Sequence, residues 1–342
     1  AGLEDIQKVF KDAIQAEGLA PNEVLVANPT HLSTVRLFSL PSTDAKEIHD
    51  IVELQAEKHT PYAKEEILTD FTVIERDRAG YSRVLLIIAH QDVVHRSVRL
   101  LELSGWPLER VGCELEGLVN WFHLVKKGSA AAGTSLVIDI DGSTTTVLVM
   151  HQGRPQFHRS LAAGAEQLEA DPQQAGERLV NELRRSIEAI ESEGTSGKIQ
   201  EILLTGCVGR LTGYKALIER GLDMPVTVSA PWGDQELPET LHAAVERLPD
   251  VSFTGLVGLA RSPSQIDLTP QGTKLRQAFE ARAKALVLLG CQGLGLLILA
   301  SLLIMGRTQK EQRYYQTLRA LYERGTKESR QVEVALGQIE FV

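Results

Sequence analysis

The run Asp139-Ile140-Asp141-Gly142-Ser143-Thr144-Thr145-Thr146 is the stretch of this chain best suited to chemistry. It ends an apolar strand pattern in a turn of small residues and hydroxyls. A glycine there lets the backbone approach a phosphate, and Ser143, Thr144 and Thr145 add donors. A strand-end carboxylate such as Asp139 can hold a metal-bound water. The same residues also suit a plain Asp-Gly-Ser hairpin turn, so both readings stand. A second glycine turn, Gly206-Cys207-Val208-Gly209, begins 64 residues after Gly142 at another strand end. Paired turns of this kind suggest the two walls of a nucleotide cleft.

Other chemistry has little support. Nine histidines are scattered without a His-Glu-x-x-His pattern or a Cys/His cluster, which argues against a catalytic metal. No Gly-x-Ser-x-Gly elbow is present. The three cysteines lie far apart, so a reducing cytoplasm suits the large part of the chain. A net charge of −9, with no basic patch interleaved with aromatics, argues against nucleic acid as a partner.

The elements that must position these turns read as α/β. Leu3–Ala16 carries a helical apolar stripe, and Glu23–Asn28 and Thr34–Leu40 read as strands. Asp44 and Glu47 form a candidate capping pair for the helix that follows. Thr69–Glu75 and Arg83–Ala89 are the next strands; Asp92 opens a helix that Gly105 closes. Lys127–Gly133 reads as a linker between two lobes. Beyond it, strands flank the Asp141–Thr144 turn, and Asp171-Pro172 starts a long helix. Ser252–Ala260 reads as a small-residue helix that packs closely on the sheet.

Ala285–Gly306 changes the character of the chain. It holds 22 residues without a charge, among them nine leucines, two isoleucines and one valine. As a helix it spans roughly 33 Å, enough for a bilayer's ~30 Å hydrocarbon core. The apolar side chains supply roughly −6 kcal/mol of insertion drive. Lys274, Arg276, Arg282 and Lys284 precede it, and Arg307, Lys310, Arg313 and Arg319 follow, so the positive-inside rule is close to a tie. Past the span, Tyr314, Leu318, Leu321, Val332, Ala335, Ile339 and Val342 fall on one heptad register, interrupted at Gly325 and Glu328. This predicts the start of a coiled coil, with Leu318, Leu321, Val332 and Ile339 facing a partner helix, the alternative being a single amphipathic helix lying on the bilayer. The chain lacks an initiator methionine and stops within the helical pattern, which reads as a piece of a longer protein.

The paired glycine turns resemble those of the actin-like ATPase superfamily, and within it the pilus-assembly PilM family and the type II secretion inner-membrane protein L. Leu40-Pro41-Ser42 with His59-Thr60-Pro61-Tyr62, and Val84–His90 with Gly105-Trp106-Pro107, are similar to that group's extra subdomain. Leu136–Thr146 with Gly153-Arg154-Pro155 is similar to its second phosphate segment, and Ile202–Gly209 through Pro225 to its adenosine segment. Ile266-Asp267-Leu268-Thr269-Pro270, the apolar span and the heptads resemble the start of PilN.

The resemblance implies an actin-like (ribonuclease H-like) α/β fold with an extra subdomain, then one transmembrane helix and a coiled-coil start. The first lobe is expected over 1–127 with the insert at about 40–112, and the second over 134–260. A linker follows at 261–284, then the span at 285–306, then a periplasmic helix at 307–342. The implied function is a bitopic inner-membrane scaffold of a type II secretion or type IV pilus machine, with its N-terminal domain cytoplasmic. Implied partners are PilN/PilO-like or secretion M-like membrane proteins and a cytoplasmic assembly ATPase, with a homodimer or heterodimer as the assembly. Thr69-Asp70-Phe71 is a candidate docking edge, and Ile266, Asp267, Leu268, Thr269 and Pro270 are expected to lie in a groove of the chain's own domain. ATP with Mg is implied as a weak or vestigial ligand of Asp139, Gly142, Ser143, Thr144, Thr145, Gly206 and Gly209. Three departures weigh against hydrolysis. The sequence starts after the family's first phosphate segment, through truncation or a true absence, Asp141 stands where the family prefers glycine, and Cys207 and Val208 stand where glycines admit the base. The alternative is a membrane-tethered actin-like ATPase in which Asp139 orients the attacking water.

Overall fold

The computed structural model describes residues 21–126, 133–193, 197–207, 213–233, 247–262 and 264–339, with single positions between 6 and 18. Residues 6, 8, 9, 11, 12 and 14 of the expected N-terminal helix are helical, and the rest of it lies outside the described residues. The chain divides into two units, Ala1–Pro270 and Gln271–Val342.

The first unit opens with β1 (Val24–Asn28) and then an insertion: β2 (Ser33–Leu40), α1 (Ala45–Lys58), β3 (Ile67–Arg76), β4 (Ser82–His90) and α2 (Gln91–Ser104). The apolar run of β4 puts it in the middle of an antiparallel sheet, order β2-β4-β3, with Val84 through Ala89 buried. Asp44 caps α1 as expected, its Oδ1 accepting from Lys46 N and Glu47 N at 2.9 and 3.0 Å. Glu47 does not complete a capping box; its carboxylate accepts the Ser42 hydroxyl at 2.6 Å. Gly105 ends α2 at φ 75°, a left-handed conformation that costs glycine nothing.

The chain then returns through β5 (Leu108–Cys113), which pairs in parallel with β1, Val26 opposite Val111. The insertion therefore begins at Ser33, earlier than the sequence suggested, and β5 belongs with β1 and not with the insert. α3 (Glu114–Val125) follows, burying Leu115, Leu118, Trp121 and Phe122.

The remainder of the unit is a five-stranded sheet with helices. Its elements are β6 (Thr134–Ile140), β7 (Thr145–His151), β8 (Arg154–Leu161), α4 (Ala165–Ala170), α5 (Pro172–Glu193), β9 (Glu201–Gly206), α6 (Tyr214–Leu222), β10 (Val226–Val228) and α7 (Thr254–Arg261). Strand order is β10-β9-β6-β7-β8. One face buries Leu136, Ile138, Val147 and Leu204 against α4, α5 and α6; the other puts Val137, Leu148, Met150 and Leu203 in one core with α3, β5 and the inserted sheet. The unit is thus a layered α/β body with an inserted subdomain.

α7 packs mainly on α3, and it also meets the sheets as expected: Leu259 lies beside Gly112 of β5, and Thr254 bonds Thr205 of β9. At the crossing, a Cβ on Gly117 would stand 1.9 Å from the Gly255 carbonyl oxygen, and one on Gly258 would stand 1.8 Å from that of Gly117. Only glycine permits two helix backbones to approach so closely.

The second unit is a single helix, α8 (Gln271–Ile339), 69 residues and about 100 Å long at 1.5 Å per residue. It takes up residues 271–284 of the expected linker at 261–284, because the helix begins fourteen residues before the apolar span. Gly325 does not interrupt it, since one glycine costs a helix only about 1 kcal/mol. Leu286 and Leu297 are 69% and 70% exposed, so this is no core helix; it is long and apolar enough to cross a membrane.

Candidate functional site

Two places in the first unit were singled out by sequence. At the first, β6 carries Asp139 into the sheet centre, and the Asp141–Thr144 turn closes with Asp141 N–H donating to Thr144 O at 2.8 Å. The structure brings Gly206 to this turn at φ 91°, where a Cβ would meet Ile140 O at 2.2 Å and Asp139 Oδ1 at 2.6 Å. Asp139, Gly142, Thr144, Thr145 and Gly206 therefore converge, and Ser143 is exposed at the tip. Gly209 lies outside the described residues.

What fills the site is protein. The segment leading into α7 lies on the turn: Ser252 N donates to Asp141 Oδ1 at 2.7 Å, and Ser252 Oγ donates to Asp139 Oδ1 at 2.7 Å. The Asp250 carbonyl occupies the space before Gly142, 2.5 Å from where its Cβ would be. Thr254 Oγ1 meets Thr205 Oγ1 at 3.0 Å, both residues fully buried. Thr145 Oγ1 donates to Ala163 O instead of facing a ligand. The Asp250 carbonyl fills the space a phosphate would need beside Gly142, and the Asp141 carboxylate there would repel a triphosphate by like charge. These residues do not fit a magnesium nucleotide; they fit a closed joint between β6, β9 and α7.

Burial pushes the Asp139 carboxyl up to about 7, against the opposing hydrogen bond from Ser252, with Glu114 and Asp141 adding to the rise. An acid raised in the folded state keeps its proton there while the unfolded chain has already lost it. Stability therefore falls as pH rises from about 4 to about 7 and then levels, by at most about 4 kcal/mol for this group. Asp139→Asn is expected to remove that slope and to be the more stable protein at pH 8. Thermal unfolding of both chains across the window checks it, and parallel curves would contradict it.

The second place is Ser264–Thr269. From Ser264 to Leu268 the residues alternate, with Ser264, Ile266 and Leu268 buried and Gln265 exposed. That is the period of an extended strand laid on a core. Leu268 N donates to Val111 O at 2.8 Å and Val111 N donates to Thr269 Oγ1 at 3.0 Å, so the segment adds to the edge of β5 opposite β1. Two acids anchor it. The buried Glu116 carboxylate accepts from Gln265 N at 2.5 Å, from Ile266 N at 3.3 Å and from Ser264 Oγ; Asp70 Oδ2 accepts from Asp267 N at 2.6 Å. Arg110 holds the Ser264 carbonyl at 2.7 Å. Ile266 and Leu268 enter the core shared by α2, β5 and α3. Burying those two side chains contributes on the order of 3–6 kcal/mol. Pro270 is buried at the end of the segment, and α8 starts at the next residue.

Residues 1–175 match the protein family described as "Type IV pilus assembly protein PilM", half of the chain. The chain belongs to the PilM family. Among solved structures it is similar to a PilM-PilN type IV pilus biogenesis complex at 17% identity and a TM-score of 0.63, covering 75% of this chain and 84% of that one. The cytoplasmic domain of EpsL, an inner membrane component of the type II secretion system of Vibrio cholerae, matches at 10% identity over 80% of this chain and 85% of that one, with a TM-score of 0.43. At such identities the likeness to the first shows the fold, the actin-like α/β body expected from the sequence.

For this PilM-family chain the remaining expected contacts are on α8, where Leu318, Leu321 and Val332 are exposed and the side chain of Ile339 lies outside the described residues. Asp70, on the candidate docking edge, receives the chain's own Asp267 N–H. Sequence reasoning missed Glu116 and Ser252, the two residues that bind most at each place. Neither sits in a motif; an acid in an apolar helix stretch such as Glu116-Gly117-Leu118-Val119 was the available signal for the first.

Proposed function

We propose that this chain is a bitopic inner-membrane scaffold of a type IV pilus or type II secretion machine, in which a PilM-type platform carries its own PilN-like segment in cis. The observation that carries the reading is the Ser264–Thr269 segment seated on β5, α3 and Asp70, with a membrane-length helix starting at Gln271. The similar solved complex contains PilM and PilN together. Here one covalent chain would replace that association, so the platform and the membrane helix cannot dissociate. The Ala1–Pro270 unit would lie in the cytoplasm beside an assembly ATPase. The exposed seam of Leu318, Leu321 and Val332, continuing to Ile339, would pair with a PilN/PilO-like or secretion M-like helix, or with a second copy, in the periplasm.

The tethered-ATPase reading gains nothing from the filled turn at Asp139 and Gly142. Coupling, not hydrolysis, is then the work of this domain. Alkaline phosphatase and green fluorescent protein, fused separately after Val342 in a Gram-negative host, test the topology. The expected result is an active phosphatase and a dark fluorescent fusion. A fluorescent fusion with inactive phosphatase would put both ends in the cytoplasm and end the scaffold reading.

A further inference from the structure

The uncharged stretch of α8 is bracketed by two groups of cations. Arg282 and Lys284 lie before it; Arg307, Lys310 and Arg313 lie after it. All five side chains are exposed, and among the described residues none has an acidic partner. Two other cations of the same helix, Arg276 and Arg319, are paired with Glu280 at 3.7 Å and Glu323 at 3.3 Å. The segregation is also global. Of the 36 Lys and Arg, 11 lie after Pro270, against 6 of the 45 Asp and Glu, so that part carries +5 and the preceding unit −14.

The spacing of the groups is that of a bilayer's two polar surfaces. Lys284 and Arg307 stand about 35 Å apart along the helix, and Arg282 and Lys310 about 42 Å. A bilayer measures ~30 Å across its hydrocarbon and ~40–45 Å with its headgroups. Arg307, Lys310 and Arg313 recur every third residue, which makes them neighbours on the helix surface, about 5–6 Å apart at Cβ. Two guanidinium forks with an ammonium between them match phosphate oxygens in geometry as well as charge.

We propose that these two belts bind the phosphodiester headgroups of anionic phospholipids, one in each leaflet. The inference rests on reading 285–306 as a membrane span. It adds a ligand class at both ends of that span and explains why cations flank it on both sides. A headgroup is present at both depths wherever the helix sits, whereas an acidic partner helix would need to match two separate belts. The acidic first unit is meanwhile repelled by the same anionic surface, so the attraction is confined to α8.

The test uses the full chain in nanodiscs holding equal parts phosphatidylglycerol and phosphatidylcholine, with the retained lipid read by native mass spectrometry. Phosphatidylglycerol is expected to be enriched, with each engaged cation worth about fivefold at low salt. The enrichment is expected to shrink at high salt and to vanish when all five cations are replaced by glutamine. Equal retention of both lipids by the unmodified chain, enrichment that ignores salt, or enrichment that survives the five glutamines would each overturn the proposal. The last outcome would leave the five cations to an acidic protein partner. A chain that does not enter the bilayer and washes off at alkaline pH fails differently, because it overturns the span itself.

Discussion

Gly117→Ala and Gly258→Ala are each expected to destabilise the Ala1–Pro270 unit by at least about 3 kcal/mol, enough to unfold much of it at physiological temperature. The added methyl groups would stand 1.9 and 1.8 Å from backbone carbonyl oxygens of the facing helix. Such a contact is relieved only by moving α3 and α7 apart. That movement would draw Trp121 and Phe122 out of the core and pull Ser252 and Thr254, just ahead of α7 and at its start, away from Asp139 and Thr205. Gly272→Ala is the control: a Cβ there meets nothing within 4 Å, and the change is expected to leave the midpoint unchanged or slightly raised. Thermal unfolding of the three variants decides it. A Gly117→Ala protein that melts with the unmodified chain would show that the two helices are not in contact.

The second large effect belongs to the segment on β5. Ile266→Asp and Leu268→Asp each place a carboxylate where a side chain is now 0% or 1% exposed. An unpaired charge is not accommodated in that core, so the segment is expected to leave its groove and forfeit its burial, about 3 kcal/mol or more. Glu116→Ala is expected to approach the same cost by a different route. It removes the acceptor for Gln265 N–H, Ile266 N–H and the Ser264 hydroxyl, leaving the buried Ile266 N–H unpaired at about 1–3 kcal/mol. Gln265→Ala, at an exposed position, is expected to cost under about 1 kcal/mol. Equal stability of all four variants would mean that the segment is not bound.

These two expectations differ in how far the sequence foretold them. The apolar runs of β4 and β6, the Asp44 cap and the Gly105 stop are local signals, each carried by a few adjacent residues, and they were legible. The segment at Ile266–Pro270 was legible as a groove ligand only through its resemblance to PilN, because a five-residue run has no periodicity long enough to read. Its anchors were not legible at all, since Glu116 and Asp70 lie 150 and 197 positions away from their partners. The phosphate turn gives the opposite lesson. Its residues do assemble, yet the chain brings Asp250–Thr254 across more than a hundred positions to close it, which no local pattern announces. The second half of the expected linker, residues 271–284, erred for a simpler reason. A polar stretch before an apolar span looks the same whether it is a coil or the first turns of a continuous helix.

Amide hydrogen exchange across Ser264–Thr269, measured on the full chain in nanodiscs, tests the central claim most directly. Leu268 N–H is bonded to Val111 O, and the amides of Gln265 and Ile266 to Glu116. These amides are expected to exchange only as slowly as the β5 edge itself opens, orders of magnitude below the unprotected rate. Ile266→Asp is expected to release them while β6 stays protected. Exchange at the rate of a free peptide in the unmodified chain would mean that the segment does not occupy the groove, and the platform would then have no partner segment of its own.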